Sequence, residues 1–200
     1  MKQKIFTNLK ENWWKYLIVF LIIGLDMLTK FLLVPLDANN NVDYTKTSEK
    51  GLIGNFLWFA PTTNLGAGFS ILEGKTLLLI ILSFIFIIGF IFFDIYLSKK
   101  SKLYNIAFGL TFGGAVGNLI DRMAFGGRVR DFIFFKFINF PVFNVADMAL
   151  TIGIVLFLIW LLFVQPKEKD IKNAENKPEQ IQTEKVENLE NIQKNTENKQ

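Results

Sequence analysis

Residues Thr76–Leu97, TLLLIILSFIFIIGFIFFDIYL, form an unbroken apolar run with a single charge, Asp94, near one end. As a helix, the run is long enough to cross a hydrocarbon core of roughly 30 Å. Three more apolar runs flank it. The first, from about Trp14 to Val34, contains Asp26 and Lys30; the third, from about Leu103 to Ala124, is rich in Gly and ends in Asn118, Asp121 and Arg122; the fourth runs from about Val142 to Val164. The sequence therefore predicts an all-α membrane protein with four transmembrane helices.

Composition alone does not decide this. The 200 residues are 51% hydrophobic and 20% charged, with 22 Phe, which suits a greasy soluble domain as well as a membrane protein. The segregation decides it: charge gathers at the two ends and in short connections. Lys2, Lys4, Lys10 and Lys15 before the first run also fit the start of a signal peptide. Against that reading, Asp26, Thr29 and Lys30 stand where a small-residue cleavage pattern belongs, and apolar residues resume after them.

Positive charge orients the helices. The N-terminal lysines, Lys99, Lys100 and Lys102 after the second run, and a Lys-rich C-terminal segment are expected on the cytoplasmic side, with both termini inside. The connections around 35–75 and 125–143 then lie outside, although Arg128, Arg130 and Lys136 soften the contrast. Trp13, Trp14 and Trp160 are expected at the inner interface and Trp58 at the outer one. Residues 165–200, mostly Lys, Glu, Asn and Gln, bury too little apolar surface to offset their ordering entropy and are expected to be a disordered tail. The net charge of +4 comes from membrane-flanking Lys and Arg and is read as topology and contact with membrane lipids, with no nucleic-acid footprint.

The chain has no Cys and no His. That removes disulfides, thiol nucleophiles, imidazole bases and the usual transition-metal ligands, so hydrolytic chemistry falls to carboxylates, hydroxyls or Lys, with no metal or cofactor expected.

Polar residues inside spans are costly and mark function by default. Here they gather at one level: Asp26 and Lys30 in the outer half of the first helix, Asn118, Asp121 and Arg122 at the outer end of the third, Asn144 and Asp147 at the outer start of the fourth. Asn64 and Asp131 fall in the two outer connections. Each has a plain structural reading. Asp26 and Lys30, four apart with the acid first, suit an ion pair bracing the bundle. Gly109, Gly113 and Gly117 suit close helix packing. Asn144 and Asp147 suit an N-cap and a first-turn acid. Asp131, in Arg128-Val129-Arg130-Asp131, suits a solvated ion pair. The short connection from Asp131 to Asp147 changes the weighing, because it must return to the same membrane surface and can bring the two carboxylates together. In a partly dry pocket such a pair shares a proton, which lets one act as base and the other as acid.

Five motifs in order carry a family resemblance: Asp26-Met27-Leu28-Thr29-Lys30; Asn64-Leu65-Gly66-Ala67-Gly68-Phe69-Ser70; Gly113-Gly114-Ala115-Val116-Gly117-Asn118-Leu119-Ile120-Asp121-Arg122; Val129-Arg130-Asp131-Phe132-Ile133; and Phe143-Asn144-Val145-Ala146-Asp147. With these, the chain resembles the bacterial lipoprotein signal peptidases, or signal peptidase II, over about residues 14–164. The resemblance implies a four-helix peptidase domain over 1–164, a small extracytoplasmic β-like platform, and hydrolysis of the bond before a diacylglyceryl-modified Cys in a prolipoprotein. It implies Asp131 and Asp147 as the catalytic dyad, with Asn64, Asn118, Arg122 and Asn144 lining and organising the site. Asp26, Lys30 and Asp121 are expected as structural support, and the enzyme is expected to act as a monomer in the bacterial cell membrane. Gly68 departs from the family, which usually has a second Ala there. Two rival chemistries remain at this point: a proton or ion carrier built from the intramembrane charges, and a Ser70 nucleophile with Lys30 or Lys75 as base.

Overall fold

The computed structural model describes residues 12–66, 72, 74–96, 101–138 and 140–164. Gly68, Phe69, Ser70, the lysines at 2, 4, 10, 99 and 100, and the C-terminal segment 165–200 lie outside the described residues. Helices α1 (Trp13–Leu33), α2 (Thr76–Tyr96), α3 (Lys102–Ala124) and α4 (Val145–Ile159, continued by a wider π-type turn over Trp160–Val164) are the four expected from the apolar runs. All are long and apolar enough to cross a membrane. Strands β1 (Lys50–Ile53), β2 (Leu57–Asn64) and β3 (Val129–Phe135) form one antiparallel sheet in that order, the platform that the resemblance implied.

The least apolar of the four, α3, is the central helix. It packs against each of the others, and 61% of its apolar window is buried, against 11 to 17% in the rest. Its glycines explain how. A Cβ on Gly109 or Gly113 would lie 2.7 Å from Ile18 or 2.9 Å from Ile22 of α1, and one on Gly114 would lie 2.4 Å from the Ala146 carbonyl oxygen of α4. Two glycine faces about 100° apart thus let α1 and α4 approach the same helix closely.

Helix α3 passes into β3 through Gly126 and Gly127, whose φ values of 60° and 88° favour glycine. Strand β3 pairs with β2 from Asn64↔Val129 out to Leu57↔Phe135. Val34 at the end of α1, Phe59 of β2 and Phe132 of β3 form a small buried cluster that Val145 joins from α4. The cluster fixes the sheet over one end of the bundle. The fourth helix begins later than the apolar run suggests, because Phe143 bridges Ile133 beside the sheet and Asn144 caps the helix.

At the other end of the bundle, Lys15 Nζ lies 2.6 and 2.7 Å from the two carboxylate oxygens of Asp94, and the Tyr104 hydroxyl donates to Asp94 Oδ1 at 3.0 Å. Trp160, expected at an interface, is instead 1% exposed and packs edge-on against Tyr104, with centroids 4.8 Å apart. The π-type turn carries its ring inward to complete a core with Val19 and Phe108. Breaking one partner of a buried ion pair leaves the other charge uncompensated, at a cost of about 3–5 kcal/mol. Lys15→Met is therefore expected to lower the thermal midpoint in detergent by about 10 °C, and Lys15→Met/Asp94→Leu to recover most of it. A single variant as stable as wild type would show that the pair does not hold α1 to α2.

Candidate active site

The site is built around the first turn of α4. Asn144 Oδ1 accepts from the Asp147 backbone N–H at 2.9 Å, and Asp147 Oδ2 accepts from the Asn144 backbone N–H at 3.2 Å, a reciprocal capping box. The structural reading of these residues thus holds, and a further role rests on it. With its oxygen committed to the helix, Asn144 turns its Nδ2 outward to Asp131 Oδ1 at 2.6 Å, Asn118 Oδ1 at 3.1 Å and the Arg130 carbonyl at 3.3 Å. The residue that caps the helix carrying Asp147 also binds Asp131.

Asp131 is not on a solvated loop. It lies in β3 opposite Thr62 and is 2% exposed. The strand is covered on both faces over Val129–Phe132, which buries consecutive residues despite their alternating directions. Burial, then the Asp147 charge beside it, pushes the Asp131 carboxyl up to about 8, although Asn144, Lys30 and Asn64 favour its ionised form. Asp147 meets donors on both oxygens, since Asn118 Nδ2 reaches Oδ1 at 2.7 Å. The two carboxyls line one cavity of about 270 Å³, with Asn64, Asn118 and Arg122 in its wall.

Behind this pair stands a buried charge network. Lys30 Nζ pairs with Asp26 at 2.8 Å and Asp121 at 3.5 Å, and donates to Asn118 Oδ1 at 3.1 Å. Asp26 Oδ1 in turn accepts the Ala146 backbone N–H at 2.9 Å, so α1 supplies a cap for a first-turn donor of α4 that has no partner within its own helix. Asp121 binds Arg130 through the guanidinium at 2.7 and 3.2 Å and through the backbone N–H at 2.9 Å. Arg130 is the residue to which the sequence reading gave no site role: it counted toward topology, toward a solvated ion pair beside Asp131 and as part of a motif, whereas it ties β3 to α3 immediately before Asp131. Its signal was its place next to Asp131 in a motif.

Arg122 reaches over to donate to the Gly66 carbonyl at 3.1 Å, while Asn64 Oδ1 accepts the Gly66 N–H at 2.8 Å. The Arg122 Nε is buried without a hydrogen-bond partner among the described residues. A second cavity of about 320 Å³ lies between α2, α3 and α4, lined by Leu79, Leu82, Phe86, Leu150 and Ile154, and it shares Asn118, Arg122 and Asp147 with the first. All nine expected site residues are therefore joined in one connected set at one end of the bundle. Ser70, the rival nucleophile, lies outside the described residues.

Residues 18–163 match the sequence model of the family described as Signal peptidase (SPase) II. The chain belongs to the signal peptidase II family. The lipoprotein signal peptidase of Brevibacillus brevis is 40% identical over 147 residues, 73% of this chain and 93% of the relative. That of Enterococcus faecalis is 35% identical over 161 residues, 80% of this chain and 95% of the relative. A solved structure described as a bacterial membrane enzyme superposes with a TM-score of 0.65 at 32% identity, covering 77% of this chain and 92% of that one. As a signal peptidase II, the enzyme is a membrane-embedded peptidase of an aspartic family that removes signal peptides from prolipoproteins. The carrier alternative finds no support, since these relatives are lipoprotein signal peptidases.

Proposed function

We propose that Asp131 and Asp147 are the catalytic pair, with Asp147 as base and Asp131 as acid in the first step. The observation that carries this is the shared Asn144, which donates to Asp131 and caps the turn bearing Asp147, so both carboxyls open on one cavity. Asp147 accepts donors on both oxygens and faces the cavity, which suits it as the base; Asp131 is raised to about 8 by burial and by the neighbouring carboxylate, and carries the shared proton at neutral pH.

A water between them gives a proton to Asp147 as its oxygen attacks the scissile carbonyl, whose oxygen takes the Asp131 proton. The tetrahedral diol then returns a hydroxyl proton to Asp131 while Asp147 protonates the leaving amine and the C–N bond breaks. The pair ends as it began, and neither a covalent intermediate nor a metal is needed. The Arg122 Nε, buried without a hydrogen-bond partner among the described residues, supports a role in holding a substrate carbonyl.

The substrate is the bond before a diacylglyceryl-modified Cys. The apolar cavity between α2, α3 and α4 suits the end of the signal helix, because it opens among lipid-facing residues and ends at Asp147. The Lys distribution supports a site at the extracytoplasmic face with both termini cytoplasmic. The exposed Leu52, Ile53, Phe56 and Phe137 at the far end of the sheet suit contact with the lipid surface. Residues 165–200 are assigned as a cytoplasmic tail outside the peptidase domain.

The pH profile tests the division of labour. Because Asp131 acts protonated, kcat for a diacylglyceryl-modified prolipoprotein is expected to fall as pH rises through about 8. Ser70→Ala is expected to keep that profile and at least half of the wild-type rate. A rate that climbs steadily to pH 10, or its loss in Ser70→Ala, would instead support a Ser–Lys mechanism.

A further inference from the structure

We infer that Lys30 is a positioning residue for the cleavage step: its ammonium holds the Asn118 amide with the oxygen turned away from Asp147, so that the amide nitrogen donates to the Asp147 carboxylate. The inference rests on Asp131 and Asp147 being the reacting pair, and it goes beyond bracing of the first helix.

An amide side chain has one accepting end and one donating end. Turned one way, Asn118 stabilises a carboxylate; turned the other, it sets an oxygen against an oxygen. What selects the orientation is whatever sits at its other end. There, Asn118 Oδ1 receives Lys30 Nζ at 3.1 Å and Asn144 Nδ2 at 3.1 Å, and Nδ2 meets Asp147 Oδ1 at 2.7 Å. Asn144 is a divided donor. Its Nδ2 has two hydrogens for three acceptors, and the closest contact is Asp131 at 2.6 Å, with the Arg130 carbonyl at 3.3 Å. Lys30 has three hydrogens and a fixed position: Asp26 at 2.8 Å and Asp121 at 3.5 Å hold it, and it is 0% exposed, so water does not take its place.

The charged groups around it come from every packed element: Asp26 on α1, Asp121 and Arg122 on α3, Arg130 and Asp131 on β3, and Asp147 on α4. Arg130 satisfies both oxygens of Asp121, whereas Asp26 has the Ala146 N–H on Oδ1 and pairs with Lys30 through Oδ2, which is why Asp26 is replaced together with Lys30 in the variants below. The Asn118 oxygen has Asn144 Nδ2 as its second donor, one that Asp131 claims at shorter range. The positive charge of Lys30 also favours the ionised form of Asp131, so its removal moves the alkaline limb of activity upward.

Two double variants of the full-length enzyme separate positioning from bracing. Asp26→Asn/Lys30→Met and Asp26→Asn/Lys30→Gln each remove the ion pair and one charge of each sign, and Asn at position 26 still accepts from Ala146. Only Gln keeps a donor for Asn118. With a diacylglyceryl-modified prolipoprotein, the Met pair is expected to lose roughly 100-fold in kcat with KM within about threefold of wild type. The Gln pair should recover at least about tenfold of that, and the alkaline limb should move up in both. Equal kcat in the two folded variants overturns the inference and leaves a brace.

Should the Met pair fail to fold, Asn118→Asp reads the same link from its other side, because it keeps the acceptor for Lys30 and loses the donor to Asp147. More than a tenth of wild-type kcat in that variant overturns the inference as well. Failure of the catalytic assignment itself shows separately, as cleavage retained in Asp147→Asn whatever the Lys30 variants do.

Discussion

Asp131→Asn and Asp147→Asn are each expected to lower kcat for prolipoprotein cleavage by about 10³-fold or more while leaving the helical content and detergent-binding behaviour of the enzyme unchanged. General acid–base catalysis by a single group contributes on the order of 10²–10⁴-fold, and here each carboxyl acts twice, once in water attack and once in amine departure. Asn at 131 keeps an oxygen for the Asn144 Nδ2 that now lies 2.6 Å from Asp131, so the fold loses little. Asn at 147 keeps one acceptor toward Asn118 or the Asn144 backbone N–H but not both, so a modest fall in thermal midpoint accompanies the loss of rate. The effects are also expected to be non-additive: the double variant should be no slower than the worse single one, because the pair acts as a unit. The measurement is single-turnover cleavage of purified substrate, with folding verified. Wild-type rate in either variant would remove that residue from the reaction.

The second large effect is expected from a residue with no chemistry. Gly114→Ala should lower both stability and kcat, the latter by about 10²-fold. A Cβ there would lie 2.4 Å from the Ala146 carbonyl and 2.9 Å from the Leu150 nitrogen, both backbone atoms of α4 that cannot rotate away. The helices must part by the order of an ångström, and α4 carries Asp147 away from Asn118 and from the β3 strand that holds Asp131. A displacement of that size is enough to cost about 10²-fold in a positioned reaction. Gly89→Ala provides the control, since a Cβ there meets nothing within 4 Å. Thermal midpoint and kcat are measured for both. If Gly114→Ala keeps half of the wild-type kcat, the α3–α4 approach is not what sets the distance between the carboxyls.

Much of this site was legible along the chain. Charges and amides within apolar helices stand out because the surrounding residues exclude them, so Asp26, Lys30, Asn118, Asp121, Arg122 and Asp147 declared themselves by context alone. Asp131 and Asn64 did not. They fall in connections where a polar residue is unremarked; the short connection to Asp147 drew attention to Asp131, and the ordered motifs to both. Arg130 was misread for the same reason, and Trp160 because an aromatic residue at the end of a span has two destinations, the interface and the core, that hydropathy does not separate.

By itself the sequence determined the four helices and the level at which the polar residues gather, since both follow from local composition and the period of the helix. Only the tertiary structure decided which polar group faces which: that Asn144 serves Asp131 and the Asp147 turn at once, that Asp26 caps a helix 120 residues away, and that Arg130 turns inward to Asp121. Each of these is a pairing of a donor with an acceptor across elements. Such pairings depend on helix rotation and strand register, which are fixed by close packing at glycine faces and by the sheet over the bundle end.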